Sequence, residues 1–240
     1  MLKAVTLDFW GTLVDAHHDL SDERIDFLAG YIREYPRERV AEAYQDSARI
    51  FLQALHEGMG LRAATMLSMT LDRLGATLTP PEYEMTLRFW EEALLVSPPR
   101  ILDGACEVLR ELRARGFFVA LISDTGLTPG VVVRRMLQER GLLAMFDWLT
   151  FSSDTGVTKK TLYAFTGTLR ALGVAPQHAL HVGDTETDVR GAHAAGMRAA
   201  LVLESSGHRE VAPLADLVLP RLQDLCSALQ EMIAASTAAP

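Results

Sequence analysis

From Ile101 onward the chain alternates short apolar runs with segments whose apolar residues recur every three or four positions. Each run is too short for a helix and too continuously apolar for a strand with one wet face, so it reads as a strand buried on both sides. Such strands, separated by amphipathic helices, fold as a parallel sheet with helices on both faces. The spacing predicts strands at residues 117–122, 148–151, 179–182, 199–203 and 217–219. It predicts helices near residues 104–115, 129–140, 161–172, 187–195 and 222–233, several of them stopped by a glycine. The apolar run at residues 2–7, which delivers Asp8, supplies one more strand of the same sheet. The fold class is therefore α/β, with a Rossmann-like parallel core. Residues 234–240 are expected to be a frayed tail.

Residues 21–97 follow a different rule. Nothing there reads as a strand. One apolar stripe runs through Phe27, Leu28, Tyr31, Ile32 and Tyr35, and a second through Val40, Tyr44, Ala48, Phe51, Leu52 and Leu55. Leu67, Leu71 and Leu74 make a third, and Leu87, Trp90 and Leu94 a fourth. Pro36, Gly58, Gly60, Gly75, Pro80 and Pro81 punctuate them, so about four helices are expected. Met59, Met66 and Met69 read as core of this segment. The chain thus divides into a core domain of residues 1–15 and 98–240 and an all-helical domain of residues 16–97. The two linkers, near residues 14–18 and 95–100, are candidate hinges.

Composition narrows the function classes. Of the 240 residues, 49% are hydrophobic and 22% charged, which supports a sizeable core and excludes disorder. The net charge of −8 argues against a nucleic-acid surface. No run approaches the roughly 20 apolar residues needed to span a bilayer, and Asp8 follows too soon after Met1 for a leader to precede the first strand. Cys106 and Cys226 lack metal-ligand spacing and read as free thiols. A cytoplasmic monomer or homodimer is expected. Only Lys3, Lys159 and Lys160 are lysines, so a lysine pair beside a turn is informative.

The polar residues at the strand ends carry the chemistry. Asp8 enters a Gly-containing turn, Phe9-Trp10-Gly11-Thr12. Ser123 and Asp124 end a second strand, Lys159 follows a third, and Asp184 and Asp188 sit one helical turn apart after a fourth. The carboxyl edge of an open α/β sheet is where ligands bind. A carboxylate there can act as a nucleophile through a covalent intermediate. Three clustered carboxylates repel one another unless a cation lies among them, and Mg²⁺ suits such an oxygen-rich site.

Asp8, Ser123, Lys159 and the Asp184/Asp188 pair, in this order, resemble the four motifs of the haloacid dehalogenase superfamily. The resemblance extends to Ile101-Leu102-Asp103-Gly104 and to Gly191-Ala192-His193-Ala194-Ala195-Gly196-Met197. It implies that Asp8 is the nucleophile, that Ser123 and Lys159 hold the transferring group, and that Asp124 orients or contacts substrate. It also implies that Asp8, the Trp10 carbonyl, Asp184 and Asp188 bind Mg²⁺, and that residues 16–97 form a cap over the site. Lys160 stands where the family usually has proline and is expected at the surface.

One position departs from the pattern. Most phosphatases of this family carry a second aspartate two residues after the nucleophile, where this chain has Trp10. An indole N–H donates a hydrogen bond but does not shuttle protons. A Mg²⁺-dependent phosphate monoesterase that tolerates this loss is the favoured reading, with His17, His18 or Asp19 as substitute acids. A 2-haloacid dehalogenase needs no acid at that position but does not explain the acidic pair. Phosphonate hydrolysis needs a cap lysine, and residues 16–97 contain none. A non-enzymatic phosphate-binding protein is a further alternative.

Overall fold

The computed structural model describes residues 1–207 and 209–238. Strand β1 (Ala4–Leu7) is followed by four helices, α1 (Ser21–Ala29), α2 (Arg37–His56), α3 (Ala63–Leu74) and α4 (Pro80–Val96). Then come α5 (Ala105–Ala114), β2 (Phe118–Ser123), α6 (Gly130–Glu139), β3 (Trp148–Phe151), the short α7 (Ser152–Thr155) and α8 (Tyr163–Leu172). The chain ends with β4 (Ala179–Gly183), α9 (Glu186–Ala194), β5 (Arg198–Val202), β6 (Leu217–Leu219) and α10 (Leu225–Ala238). The six strands form one parallel sheet in the order β3-β2-β1-β4-β5-β6. The order reverses between β1 and β4, which opens the crevice in which such sheets hold ligands.

Side chains alternate across the sheet. Val5, Leu7, Val119, Leu121, Leu180 and Val182 pack on one face with α5, α6 and α10. Ala4, Ile122, Ala179, Ala199 and Leu201 pack on the other with α8 and α9. The helices α1–α4 build a separate core around Trp90, Leu28, Ile32, Met66 and Leu67. Trp90 is fully buried and meets Tyr44 edge to face, with ring centroids 5.2 Å apart. Its Nε1–H donates to the Arg24 carbonyl at 3.0 Å, while Arg24 Nε–H donates to the Trp90 carbonyl at 3.1 Å.

Helix α4 packs on α6, with Ala93 and Leu94 joining the core cluster, and the backbone of the helical segment meets the core at two further places. The linkers run side by side, with Val14 and Ile101 in antiparallel register and Asp15 N–H donating to the Arg100 carbonyl at 2.9 Å. At the other end, Met59 pairs with Val157, and Gly60 N–H donates to the Gly156 carbonyl at 3.1 Å. Gly60 is required there, since a Cβ would lie 2.6 Å from the Ser152 carbonyl oxygen.

Four expectations need correction. Helix α1 stops at Ala29, so Tyr31, Ile32 and Tyr35 occupy the turns that follow, although Ile32 still reaches the core. Helix α8 starts at Tyr163 because Thr161 is held in a turn on the Thr158 carbonyl. Met59 is exposed in the bridge to Val157, and only Met66 and Met69 pack in the helical core. Residues 234–238 are helical, in keeping with their alanine content; Ala239 and Pro240 lie outside the described residues.

Candidate active site

Asp8 leaves the carboxyl end of β1, its N–H donating to the Val182 carbonyl of β4 at 2.9 Å. The backbone then turns through Gly11, at φ 73°. A Cβ on Gly11 would sit 2.2 Å from Asp184 Oδ2, so the turn and the β4–α9 carboxylate can approach only at glycine. Gly183 makes similar room for Asp188. Candidate ligand oxygens of Asp8, Asp184 and Asp188 all lie within 4.8 Å of one another, and all three residues are buried.

Lys159 reaches into this cluster. Its Nζ lies 2.8 Å from Asp8 Oδ1 and 2.6 Å from Asp188 Oδ1. Its backbone N–H donates to the Asp124 carboxylate at 3.0 and 3.3 Å, so Asp124 fixes the loop that carries the lysine. Lys160 is exposed. Asp188 is fully engaged: Oδ1 accepts from Lys159 and from His181 Nε2 at 2.9 Å, and Oδ2 from Thr185 N–H at 3.0 Å and Thr185 Oγ1 at 2.6 Å.

The electrostatics follow from burial. Desolvation, with repulsion from Asp188 and Asp184, pushes the Asp8 carboxyl well above the usual range, against the pull of Lys159. Asp188 is desolvated too, but Lys159 and His181 hold it far below that range. Lys159 resists deprotonation despite its burial, because Asp188, Asp8 and Asp124 surround it. Burial lowers His181 and raises Asp124.

Ser123 Oγ, at the end of β2, and Thr12 Oγ1, in the turn after Asp8, are buried with no hydrogen-bond partner among the described residues. Orphaned hydroxyls of this kind await a ligand or water. Beside the turn, a cavity of about 300 Å³ is lined by Trp10, His18, Arg24 and Asp124, together with leucines and the loop of residues 125–128. His18 Nε2 lies 2.5 Å from the Ser97 carbonyl, whereas His17 is exposed and Asp19 is occupied by the Ser21 N–H. Of the three substitute acids, His18 alone shares a wall with Trp10.

Sequence reasoning missed Thr12, Thr185 and the pair behind Asp188. Thr6 and His181 are register partners on β1 and β4, and their side chains meet at 2.8 Å. A Thr6 hydroxyl donating to Nδ1 leaves the Nε2–H for Asp188. The signal was available: each is a polar residue inside an otherwise apolar buried strand.

Residues 2–196 match the family model described as haloacid dehalogenase-like hydrolase. The chain is similar to phosphoglycolate phosphatase 1 of Pseudomonas aeruginosa, 27% identical over 228 residues that cover 93% of this chain and 78% of the relative. A phosphatase structure from Thermococcus onnurineus superposes with a TM-score of 0.68 at 22% identity, over 95% of this chain and 98% of that one. A 2-haloacid dehalogenase from Pseudomonas syringae gives the same TM-score at 21% identity, over 97% and 100%. The fold is thus common to both chemistries. The family match is not divided in this way: this chain belongs to the haloacid dehalogenase-like hydrolases.

Proposed function

We propose that this hydrolase cleaves a small phosphate monoester through an aspartyl-phosphate on Asp8, with Mg²⁺ as cofactor. The charge balance carries this conclusion. Three buried carboxylates crowd one site against one buried ammonium, and unpaired charge is costly there. The donor set, all oxygen, fits a hard divalent ion. Asp8, Asp184 and the Trp10 carbonyl would hold it. Asp188 would complete the set while its hydrogen bonds from Lys159 and His181 hold it in place. Bound there, Mg²⁺ would offset the negative charge of the carboxylates and of the phosphoryl group.

The chain's own residues then have separable tasks. Lys159 and the free hydroxyls of Ser123 and Thr12 hold phosphoryl oxygens. Asp8 attacks phosphorus, the bond to the ester oxygen breaks, and water later opens the aspartyl-phosphate. The helices α1–α4 act as a cap that excludes bulk water, with residues 14–18 and 95–100 as hinges. With tryptophan at position 10, esters whose alcohols leave without a proton react fastest.

An activated aryl phosphate tests this. Hydrolysis should vanish in EDTA, return with Mg²⁺, and be absent in Asp8→Asn. A dehalogenase is the competing reading, favoured by Trp10; halide release from a 2-haloacid that persists in EDTA would establish it.

A further inference from the structure

We infer that Arg24 forms a subsite for a carboxylate on the alcohol part of the substrate; this rests on the phosphatase reading and narrows it to phosphorylated hydroxy acids. Arg24 sits on α1 and is only 7% exposed. Its Nε–H is spent on the Trp90 carbonyl, and the reciprocal bond from Trp90 Nε1 locks the two residues together. Among the described residues, no carboxylate comes within the 4.0 Å of an ion pair with it. Asp19 acts on it through space without an ion-pair contact, and one of its oxygens accepts from the Ser21 N–H at 2.9 Å. The contrast is Arg37, which is far more exposed yet pairs with both Asp22 and Asp26. A buried guanidinium with no anion in contact is costly to the fold unless a ligand supplies one.

The place of Arg24 says what the ligand is. It lines the 300 Å³ cavity together with Trp10, two residues from the nucleophile, and Asp124, one residue past Ser123. That cavity adjoins the phosphoryl site and so receives the ester's alcohol. Leu20, Leu52 and Leu55 supply an apolar wall suited to a short carbon skeleton. With Nε engaged, the Nη end of the guanidinium offers parallel N–H groups that match a planar carboxylate. A second phosphate would bring two charges against one cation with Asp124 nearby, so a carboxylate is the better match.

Paired esters test the assignment. 2-Phosphoglycolate is compared with 2-hydroxyethyl phosphate, and 3-phosphoglycerate with glycerol 3-phosphate; each pair exchanges a carboxylate for a hydroxymethyl group. The wild type should favour the acid in at least one pair by about tenfold or more in kcat/KM, the lower value expected for a charge-assisted hydrogen bond. Arg24→Gln should lower that ratio by about 10–100-fold, mainly through KM, and Arg24→Lys should restore part of it. A wild type with no preference in either pair, or an Arg24→Gln ratio equal to wild type, would overturn the assignment. Should Arg24→Gln fail to fold, the wild-type ratio and Arg24→Lys decide. Calorimetric titration of Asp8→Asn with 2-phosphoglycolate and 3-phosphoglycerate, with and without Arg24→Gln, reads binding without turnover. Failure to hydrolyse any ester, an aryl phosphate included, would remove the phosphatase reading while this titration still reports on Arg24.

Discussion

Asp8→Asn should stabilise the metal-free protein while abolishing turnover. Asp8 is 4% exposed, and burial with two neighbouring carboxylates raises its carboxyl well above the usual range. Above about pH 4 the unfolded chain has released this proton, while the folded chain retains it. Stability therefore falls as pH rises toward the folded value and levels off beyond it. Asparagine keeps the shape and carries no charge, so its advantage should be near zero at about pH 4 and grow as pH rises. Replacing a poorly compensated buried charge by a neutral group gains about 1–3 kcal/mol. At about 2–4 °C per kcal/mol for a chain of this size, the midpoint in EDTA should rise by roughly 2–12 °C at pH 8. Mg²⁺ should reverse the order, because the ion stabilises only the form that binds it well: about 2.7 kcal/mol for wild type at a hundredfold excess over Kd, and less for the Asp8→Asn variant. Thermal unfolding of both proteins from pH 4.5 to 8.5, in EDTA and in Mg²⁺, reads all of this. An Asp8→Asn protein less stable than wild type in EDTA at pH 8 would show that the Lys159 ion pair outweighs burial. Equal Mg²⁺ shifts in the two proteins would remove Asp8 as a ligand.

Three other perturbations separate the parts of the site. His181→Phe removes a hydrogen bond to Asp188 and should raise the Mg²⁺ concentration for half-maximal activity by about 10–100-fold; an unchanged requirement would confine His181 to packing. Gly60→Ala forces a Cβ against the Ser152 carbonyl and should destabilise by about 1–3 kcal/mol, with faster proteolysis at residues 56–62; identical melting and cleavage would mean that this contact is not maintained. Trp10→Asp should raise kcat on alkyl phosphates by about 10²-fold or more relative to aryl phosphates, and an unchanged alkyl-to-aryl ratio would show that protonation of the leaving group is not the bottleneck.

The sheet was legible because its strands are buried on both faces and its helices on one. Those two periods bracketed β3 and β6 to the residue. Asp8, Asp184 and Asp188 were legible because each follows an apolar run that must end at the sheet's carboxyl edge, whereas Lys159, eight residues past the end of β3, was singled out by the family resemblance. What stayed hidden depends on pairing between strands distant in sequence. Thr6 and His181 are 175 residues apart, and nothing local to either reveals the hydrogen bond between them. Arg24 was hidden for a related reason. On sequence it is one charged residue in an acidic first turn, and only the reciprocal bonds with Trp90, 66 residues away, bury it beside the cavity. The contact of Gly60 with Gly156 likewise joins two loops that lie far apart in the chain, one in the helical segment and one in the core.

Trp10 links the proposed phosphoryl site to the cavity proposed for the alcohol. Its backbone is held by the Val14 bridge, so the carbonyl proposed for the metal is fixed whatever side chain is present. Its ring rests edge-on against Phe9, with centroids 5.0 Å apart, and forms part of the cavity wall that Arg24 shares. An aspartate there would place a third acidic group beside Asp8 and Asp124 and would weaken the hold of a single guanidinium on a substrate carboxylate. Tryptophan removes proton transfer but leaves Arg24 the stronger field in that cavity. On the proposed reading the chain exchanges speed on poor leaving groups for recognition of an acidic alcohol, and Trp10→Asp should weaken binding of carboxylate-bearing esters even where it speeds the hydrolysis of neutral ones.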